Sequence, residues 1–310
     1  MLVLALTSAR LHAAVKVLRI DPHQTDAAIE AVRGPHLAVY DPRGAQAHRL
    51  IVFLPGTGAR AEASLALDSA FANWGYHAIS LDYENGVLTV ACAHSKDVAC
   101  FDHYREAIVT GAPMSEKISV DPANSILNRL QMLLLYLVKT DPEGGWDEFL
   151  DAGRPAWSRI VIAGHSQGSG HAAYIGKMFR VDEVLMFSGP QDYLDDLDEP
   201  APWESEPSAT PASRYFAFLN VKDPYNVHHQ IASCMVLMNL SKPETLMVEP
   251  GEAISGDHQI LLNDLDAKQA HGTTILPEFE NVWHYMATEG EDAAAITPSR
   301  PPQPQPTPGR

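Results

Sequence analysis

The segment at 158–176, SRIVIAGHSQGSGHAAYIG, constrains the fold more than any other part of the chain. The run IVIA at 160–163 is uninterrupted and apolar, which is typical of a strand buried on both faces of a sheet. It leads directly into the pentapeptide GHSQG at 164–168, and small or amphipathic residues follow at helical spacing. The sequence therefore predicts a buried strand, a tight turn centred on Ser166 and a helix, in that order.

This pentapeptide has the G-x-S-x-G pattern of a nucleophile elbow. Its flanking glycines lack the Cβ atoms that would collide in so tight a turn, so the Ser166 hydroxyl can project from the helix N-terminus. The unpaired N–H groups and the dipole at that terminus favour negative charge that develops there. In this context the chain resembles the α/β-hydrolase superfamily, and GHSQG is similar to the pentapeptide of its esterases and lipases. The alternative is a glycine-rich turn without chemistry.

The resemblance implies a three-layer α/β-hydrolase fold, in which a mostly parallel sheet is flanked by helices. The residues give independent support for an α/β chain. Strand patterns at 49–54 and 76–83 enclose a helical pattern at 61–74, which predicts parallel strands joined by a right-handed crossover. Further strands are predicted at 36–40, 183–187, 214–221 and 245–249, and further helices at 122–140, 226–240 and 278–286.

One folded domain is predicted over 36–289, since a chain of 310 residues can bury a complete core. Residues 1–35 are either the remnant of a signal peptide or a first strand, and the Pro-rich tail at 290–310 is predicted to be disordered. No run reaches the ~18 apolar residues that a membrane span needs. The net charge of −17 argues against nucleic acid as a partner.

A serine nucleophile needs a histidine to accept its proton and a carboxylate to orient that histidine. In the superfamily these residues follow the order serine, acid, histidine, so the candidates lie after Ser166. Asp223 follows the predicted seventh strand, where the resemblance places the acid, and Asp192 is the alternative. His271, within AHGT, is the predicted base because similar bacterial hydrolases have an A-H-G-type motif there. His258, within SGDH, is the alternative.

The loop PGTG at 55–58 follows a buried strand, at the place where the resemblance implies one donor of an oxyanion hole. Because glycines let the backbone approach a substrate, the Thr57 N–H is the predicted donor, with Gly58 as the alternative. The Gln167 N–H, directly after the nucleophile, is the predicted second donor. PGTG would also be a competent turn without chemistry. His165 is predicted to pack beneath the elbow, with its side chain directed away from Ser166.

These residues predict a serine hydrolase that cleaves a carboxylic ester through an acyl-enzyme, on a small-molecule or lipid-like substrate. Neither a metal nor an organic cofactor is expected. An acyltransferase on the same triad is one alternative, and a non-catalytic binding protein of the same fold is another. The acyl and alcohol groups of the substrate and the oligomeric state are left open.

Two of the three cysteines, Cys92 and Cys100, lie in one predicted loop. We expect them to form a disulfide that closes a short loop, and similar bacterial hydrolases have a cysteine pair here. A disulfide would favour a secreted or periplasmic location. The alternative is two reduced thiols in a cytoplasmic enzyme.

Overall fold

The computed structural model describes residues 15–266 and 268–295, with side chains up to residue 288. The beginning of the predicted N-terminal segment and most of the predicted Pro-rich tail lie outside these residues. The strands are β1 (Lys16–Ile20), β2 (His36–Tyr40), β3 (Leu50–Leu54), β4 (His77–Ser80), β5 (Leu150–Asp151), β6 (Arg154–Pro155), β7 (Ile160–His165), β8 (Glu183–Phe187), β9 (Tyr193–Leu194), β10 (Glu199–Pro200), β11 (Tyr215–Asn220), β12 (Thr245–Met247) and β13 (Ile260–Asn263). The α-helices are α1 (Pro22–Thr25), α2 (Leu65–Asn73), α3 (Cys100–Thr110), α4 (Ile126–Thr140), α5 (Gln167–Met178), α6 (Val227–Leu237) and α7 (Glu280–Ala295).

Within this part of the chain, nine strands form one sheet in the order β1-β2-β4-β3-β7-β8-β11-β13-β12. The pairs β1–β2 and β2–β4 are antiparallel, and every other neighbouring pair is parallel. Helices α2 and α7 pack on one face of the sheet, and α3, α4, α5 and α6 pack on the other. The predicted three-layer α/β architecture with a mostly parallel sheet is therefore confirmed.

Strand β3 illustrates why the central strands are continuous apolar runs. Leu50, Val52 and Leu54 contribute to the core on the α4 face of the sheet. Ile51 and Phe53 point to the opposite face, into the core beneath α2 and α7. Because successive side chains alternate between two buried faces, every position of such a strand has to be apolar.

One strand of the sheet, β13, was not predicted from the sequence, and another, β1, is the first strand that was one of two alternatives for residues 1–35. β1 lies at the edge of the sheet beyond β2, so the folded unit includes residues ahead of the predicted boundary at 36. β13 is inserted between β11 and β12, in a stretch that lies outside every strand predicted from the sequence. The four residues of β13 are all buried, and a buried run this short has no period that separates strand from helix.

Two segments that lie outside the predicted strands and helices are packed against the domain. The connection at 84–121 contains α3, whose apolar side chains join the core. The acidic segment at 192–206 contains the buried side chains of Asp192, Trp203 and Glu204. At the C-terminus, α7 continues beyond the predicted domain end at 289.

The predicted disulfide is present and joins Cys92 to Cys100. It connects the turn at Thr89–Cys92 to the first residue of α3. Cys234 is a free, buried thiol in α6. No helix among the described residues is long and apolar enough to cross a membrane.

Candidate active site

Ser166 occupies the turn between β7 and α5 with φ 55° and ψ −120°. A residue with a Cβ rarely adopts these backbone angles, and such a conformation persists only where the surrounding structure fixes it. The Ser166 N–H donates to the Phe187 carbonyl at 2.8 Å, and the Ser166 carbonyl accepts from the Ser169 N–H at 3.0 Å. The backbone at Ser166 is thus held on both sides in this strained strand-to-helix turn.

The two glycines of the pentapeptide are required by close backbone contacts. A Cβ on Gly164 would lie 2.2 Å from the Gly168 carbonyl, and a Cβ on Gly168 would lie 1.9 Å from the Leu54 carbonyl oxygen. Real Cβ atoms do not approach backbone atoms so closely. A side chain at position 164 would therefore distort the turn itself, and one at position 168 would push the turn away from β3. The G-x-S-x-G pattern therefore has a packing explanation at both of its ends.

His271 and Asp223 are adjacent, with His271 Nδ1 lying 2.7 Å from Asp223 Oδ2. The other carboxylate oxygen of Asp223 accepts the Tyr225 N–H at 2.9 Å. Burial of the Asp223 side chain raises its pKa, but the hydrogen bond from His271 and the neighbouring N–H outweigh this and leave the pKa below its ordinary value. Asp223 is thus an ionised partner for the imidazole.

The same cavity, of about 210 Å³, is lined by both His271 and Ser166. Within the described residues, His271 Nε2 is buried and has no hydrogen-bond partner, so no such bond joins it to the Ser166 hydroxyl. The histidine therefore pairs with its acid through one nitrogen, while the other nitrogen is unused.

The backbone of His271 is held by two side chains. Its carbonyl accepts from Ser188 Oγ at 2.7 Å and lies 2.9 Å from His165 Nε2, which acts as the donor. We expected His165 to point away from Ser166, but its side chain lines the same cavity, 4.9 Å from the His271 ring centre to centre. Burial, together with the nearby His271, lowers the pKa of His165 to about 4, so it is neutral.

The alternative acid and the alternative base occupy other environments. Asp192 pairs with Arg105, with Nη2 of the arginine 2.6 Å from Oδ1. His258 precedes β13, whereas Ser166 follows the end of β7, and these strands run in the same direction. The length of a strand, about 13 Å for four residues, thus separates His258 from the elbow edge of the sheet.

The loop PGTG lies directly against the elbow, since a Cβ on Gly56 would be 3.1 Å from Ser166 Cβ. Among the described residues, the N–H groups of Thr57 and Gln167 have no acceptor, whereas the Gly58 N–H donates to the Asn85 carbonyl at 3.1 Å. The two predicted oxyanion donors are therefore free, and the alternative donor is occupied. The Thr57 hydroxyl and the Gln167 side-chain amide are hydrogen-bonded to each other at 2.7 Å.

Residues that the sequence analysis did not single out fix this loop and the elbow. Tyr83 donates its hydroxyl hydrogen to the Pro55 carbonyl at 2.5 Å, and Asn85 Nδ2 donates to the Gly56 carbonyl at 2.8 Å. Arg105 Nη1 donates to the Gln167 carbonyl at 2.7 Å. Tyr83 and Asn85 follow β4 at the carboxyl edge of the sheet, and this position in the sequence could have identified them as residues near the site.

A second cavity of about 250 Å³ adjoins the first, and Val90, Gln191 and Tyr225 line both. The first cavity is also lined by Leu88 and Val90, which precede the disulfide. In the described part of the chain, no group of three or more His, Cys, Asp or Glu side chains has an arrangement that could hold a metal ion.

Comparisons with known proteins assign no family to the chain. No family model matches it, and no curated protein matches it. Among the solved structures that resemble it is the crystal structure of TT1662 from Thermus thermophilus, which has a TM-score of 0.45 and 17% sequence identity. The similarity covers 89% of this chain and 98% of that one.

Proposed function

We propose that the protein is a serine hydrolase of the α/β-hydrolase type, which cleaves a carboxylic ester through Ser166, His271 and Asp223. The observation that carries this proposal is the combination of an elbow-type Ser166 with an Asp223-paired His271 on the wall of one cavity. A buried imidazole nitrogen without a partner, on a cavity that also contains a strained serine, is what a general base needs before substrate binds.

In the proposed reaction, Ser166 Oγ attacks the ester carbonyl while His271 Nε2 accepts the serine proton. This requires Ser166 and His271 to come into hydrogen-bond contact, which in serine hydrolases often tightens only when substrate binds. Asp223 holds the imidazole tautomer through Nδ1 and stabilises the imidazolium. His271 then donates the proton to the leaving alcohol, and water repeats the sequence to release the acid.

The N–H groups of Thr57 and Gln167 would stabilise the negative charge on the tetrahedral intermediate. Each such donor contributes about 3 kcal/mol to the stability of the transition state. Gln167 is the first residue of α5, so the N-terminal end of that helix adds a favourable dipole. Because Tyr83, Asn85 and Arg105 fix the backbone around these donors, little reorganisation should accompany the reaction.

Intact-protein mass spectrometry after exposure to a fluorophosphonate tests this proposal. We expect one adduct on Ser166, none in Ser166→Ala, and strongly slowed labelling in His271→Ala. His258→Ala is the matched control and should react like the parent protein. No adduct on well-folded protein would contradict the proposal and favour a binding protein of the same fold. With an ester substrate, transfer of the acyl group to an added alcohol instead of to water would favour an acyltransferase.

A further inference from the structure

The cavity beside the proposed nucleophile continues into a second cavity with a different chemical character. The first, at Ser166 and His271, has an apolar wall that includes Leu88 and Val90. The second is lined by Asp195, His229 and Asn226, with the rings of Tyr193 and Tyr225. A substrate bound at Ser166 could therefore place one end against apolar side chains and the other end among aromatic rings beside a carboxylate.

Asp195 is the one acidic side chain among the residues described as lining these two cavities, and none of them is Lys or Arg. Its side chain is 35% exposed, and two histidine rings lie within ion-pair distance of it: His94 Nε2 at 3.5 Å and His229 Nδ1 at 3.6 Å. His94 makes its shorter contact, 2.9 Å, with Asp196 instead. Because no Lys or Arg is among these lining residues, Asp195 gives the second cavity a negative potential, which the net charge of −17 reinforces.

Aromatic rings complete this environment. Tyr193 stacks on His229 with ring centres 3.7 Å apart, and the Tyr193 hydroxyl donates to Asp198 Oδ1 at 3.0 Å. The Tyr225 side chain is 45% exposed and lies between the two cavities, with its ring centre 4.6 Å from that of His271. Tyrosine faces next to a carboxylate attract an ammonium group through cation–π and Coulomb interactions.

We infer that the substrates are acyl esters of an amino alcohol, with the acyl group against Leu88 and Val90 and the ammonium group in the Asp195 cavity. This inference rests on the proposed hydrolase function and names its substrate class. Hydrolysis would form the Ser166 acyl-enzyme and release the cationic alcohol, which takes the proton from His271. Water would then release the carboxylic acid.

The test compares an acylcholine ester with its neutral isostere, in which a tert-butyl group replaces the trimethylammonium group. In the parent protein we expect kcat/KM to be about tenfold higher for the choline ester, with the preference falling as salt is added. In Asp195→Asn the ratio of the two kcat/KM values should fall to about one. Asp196→Asn is the matched control, because Asp196 pairs with His94 and does not line the cavity; it should keep the preference.

Equal kcat/KM values for the two esters in the parent protein, or an undiminished preference in Asp195→Asn, would overturn the inference and leave the hydrolase proposal intact. If neither ester is hydrolysed, the readout is protection of Ser166 against an uncharged fluorophosphonate. Choline should then slow labelling of the parent protein more than its tert-butyl analogue does. In Asp195→Asn the two alcohols should slow labelling equally. Equal protection by the two alcohols would also overturn the inference, whereas absence of any adduct would count against the hydrolase proposal itself.

Discussion

Arg105 and Asp192 form a fully buried ion pair, with distances of 2.6 Å from Nη2 to Oδ1 and 2.9 Å from Nε to Oδ2. Trp203 Nε1 also donates to Oδ2 at 3.0 Å. The remaining guanidinium nitrogen donates to the Gln167 carbonyl at 2.7 Å. Asp192 thus orients an arginine that supports the elbow, while Asp223 pairs with His271. The two aspartates that sequence order could not separate have different surroundings.

We therefore expect the two Asp→Asn variants to differ in kind. Asp192→Asn leaves the buried guanidinium of Arg105 without its carboxylate partner, which should lower the free energy of unfolding by about 3 kcal/mol. Asp223→Asn should leave stability nearly unchanged but lower kcat by about 10⁴-fold, because the imidazole tautomer is no longer held. Denaturant unfolding and ester hydrolysis measured on both variants check this. Loss of activity confined to a well-folded Asp192→Asn protein would reverse the assignment.

Gly56→Ala should impair catalysis through the oxyanion loop. The new Cβ would lie 3.0 Å from His165 Nδ1 and 3.1 Å from Ser166 Cβ, so the loop has to move away from the elbow. A shift of the Thr57 N–H should lower kcat/KM by about 100-fold. Gly272→Ala is the control, since a Cβ there meets nothing within 4 Å. Equal activities of the two variants would show that the Thr57 position does not matter.

Removal of the Cys92–Cys100 disulfide should destabilise the protein and loosen one wall of the cavity. A disulfide closing so short a loop contributes about 2–3 kcal/mol in the loop-entropy model. The double variant Cys92→Ala/Cys100→Ala should therefore have a lower Tm, and KM should rise because Leu88 and Val90 are less fixed. Cys234→Ala with the disulfide intact is the comparison for KM. The expectation fails if reduction of the parent protein changes neither quantity.

The stability of the protein should depend on pH through Asp68. Burial raises the pKa of this carboxyl from 3.8 to about 8, although Ser80 Oγ donates to it at 2.8 Å. The folded state then binds the Asp68 proton more tightly than the unfolded state does. The contribution of Asp68 to the free energy of unfolding is therefore fully present below pH 3.8 and is lost as the pH rises towards about 8. The loss is at most about 1.4 kcal/mol per pH unit.

Asp68→Asn removes the titrating group, so its free energy of unfolding should vary less with pH across that window than that of the parent. Urea unfolding of both proteins at several pH values measures the difference. Parallel curves for the two proteins would mean that Asp68 is ionised in the folded state. The solvent-exposed Asp97→Asn serves as control and should follow the parent curve.

The elbow, the α/β architecture and the disulfide were predictable because each depends on local pattern. Glycines at 164 and 168 and an apolar run before them specify a strand–turn–helix unit without reference to distant residues. The choice between His271 and His258 was harder, because it depends on where β13 enters the sheet. The order of strands is a property of the whole chain, and a buried run of four residues has no pattern that reveals it.

Arg105 and His165 show why the positions of individual side chains could not be predicted from the sequence. An arginine is exposed by default, and its burial here depends on Asp192, which lies 87 residues further along the chain. The orientation of His165 depends in turn on the loop that contains His271. Sequence alone also left Gly58 as an alternative to Thr57, since the difference between their N–H groups arises from one hydrogen bond to Asn85.

The hydrogen bond from His165 to the His271 carbonyl means that two distant parts of the chain are expected to evolve together. The residue directly before Ser166 supports the main chain of the residue proposed to take its proton, so displacement of either segment carries the other with it. A new side chain at position 165 would leave that carbonyl with only the Ser188 hydroxyl as a described donor, and the loop at 270–274 would then need a compensating change. We expect these two segments to covary among descendants of this protein, while Ser166 itself stays fixed.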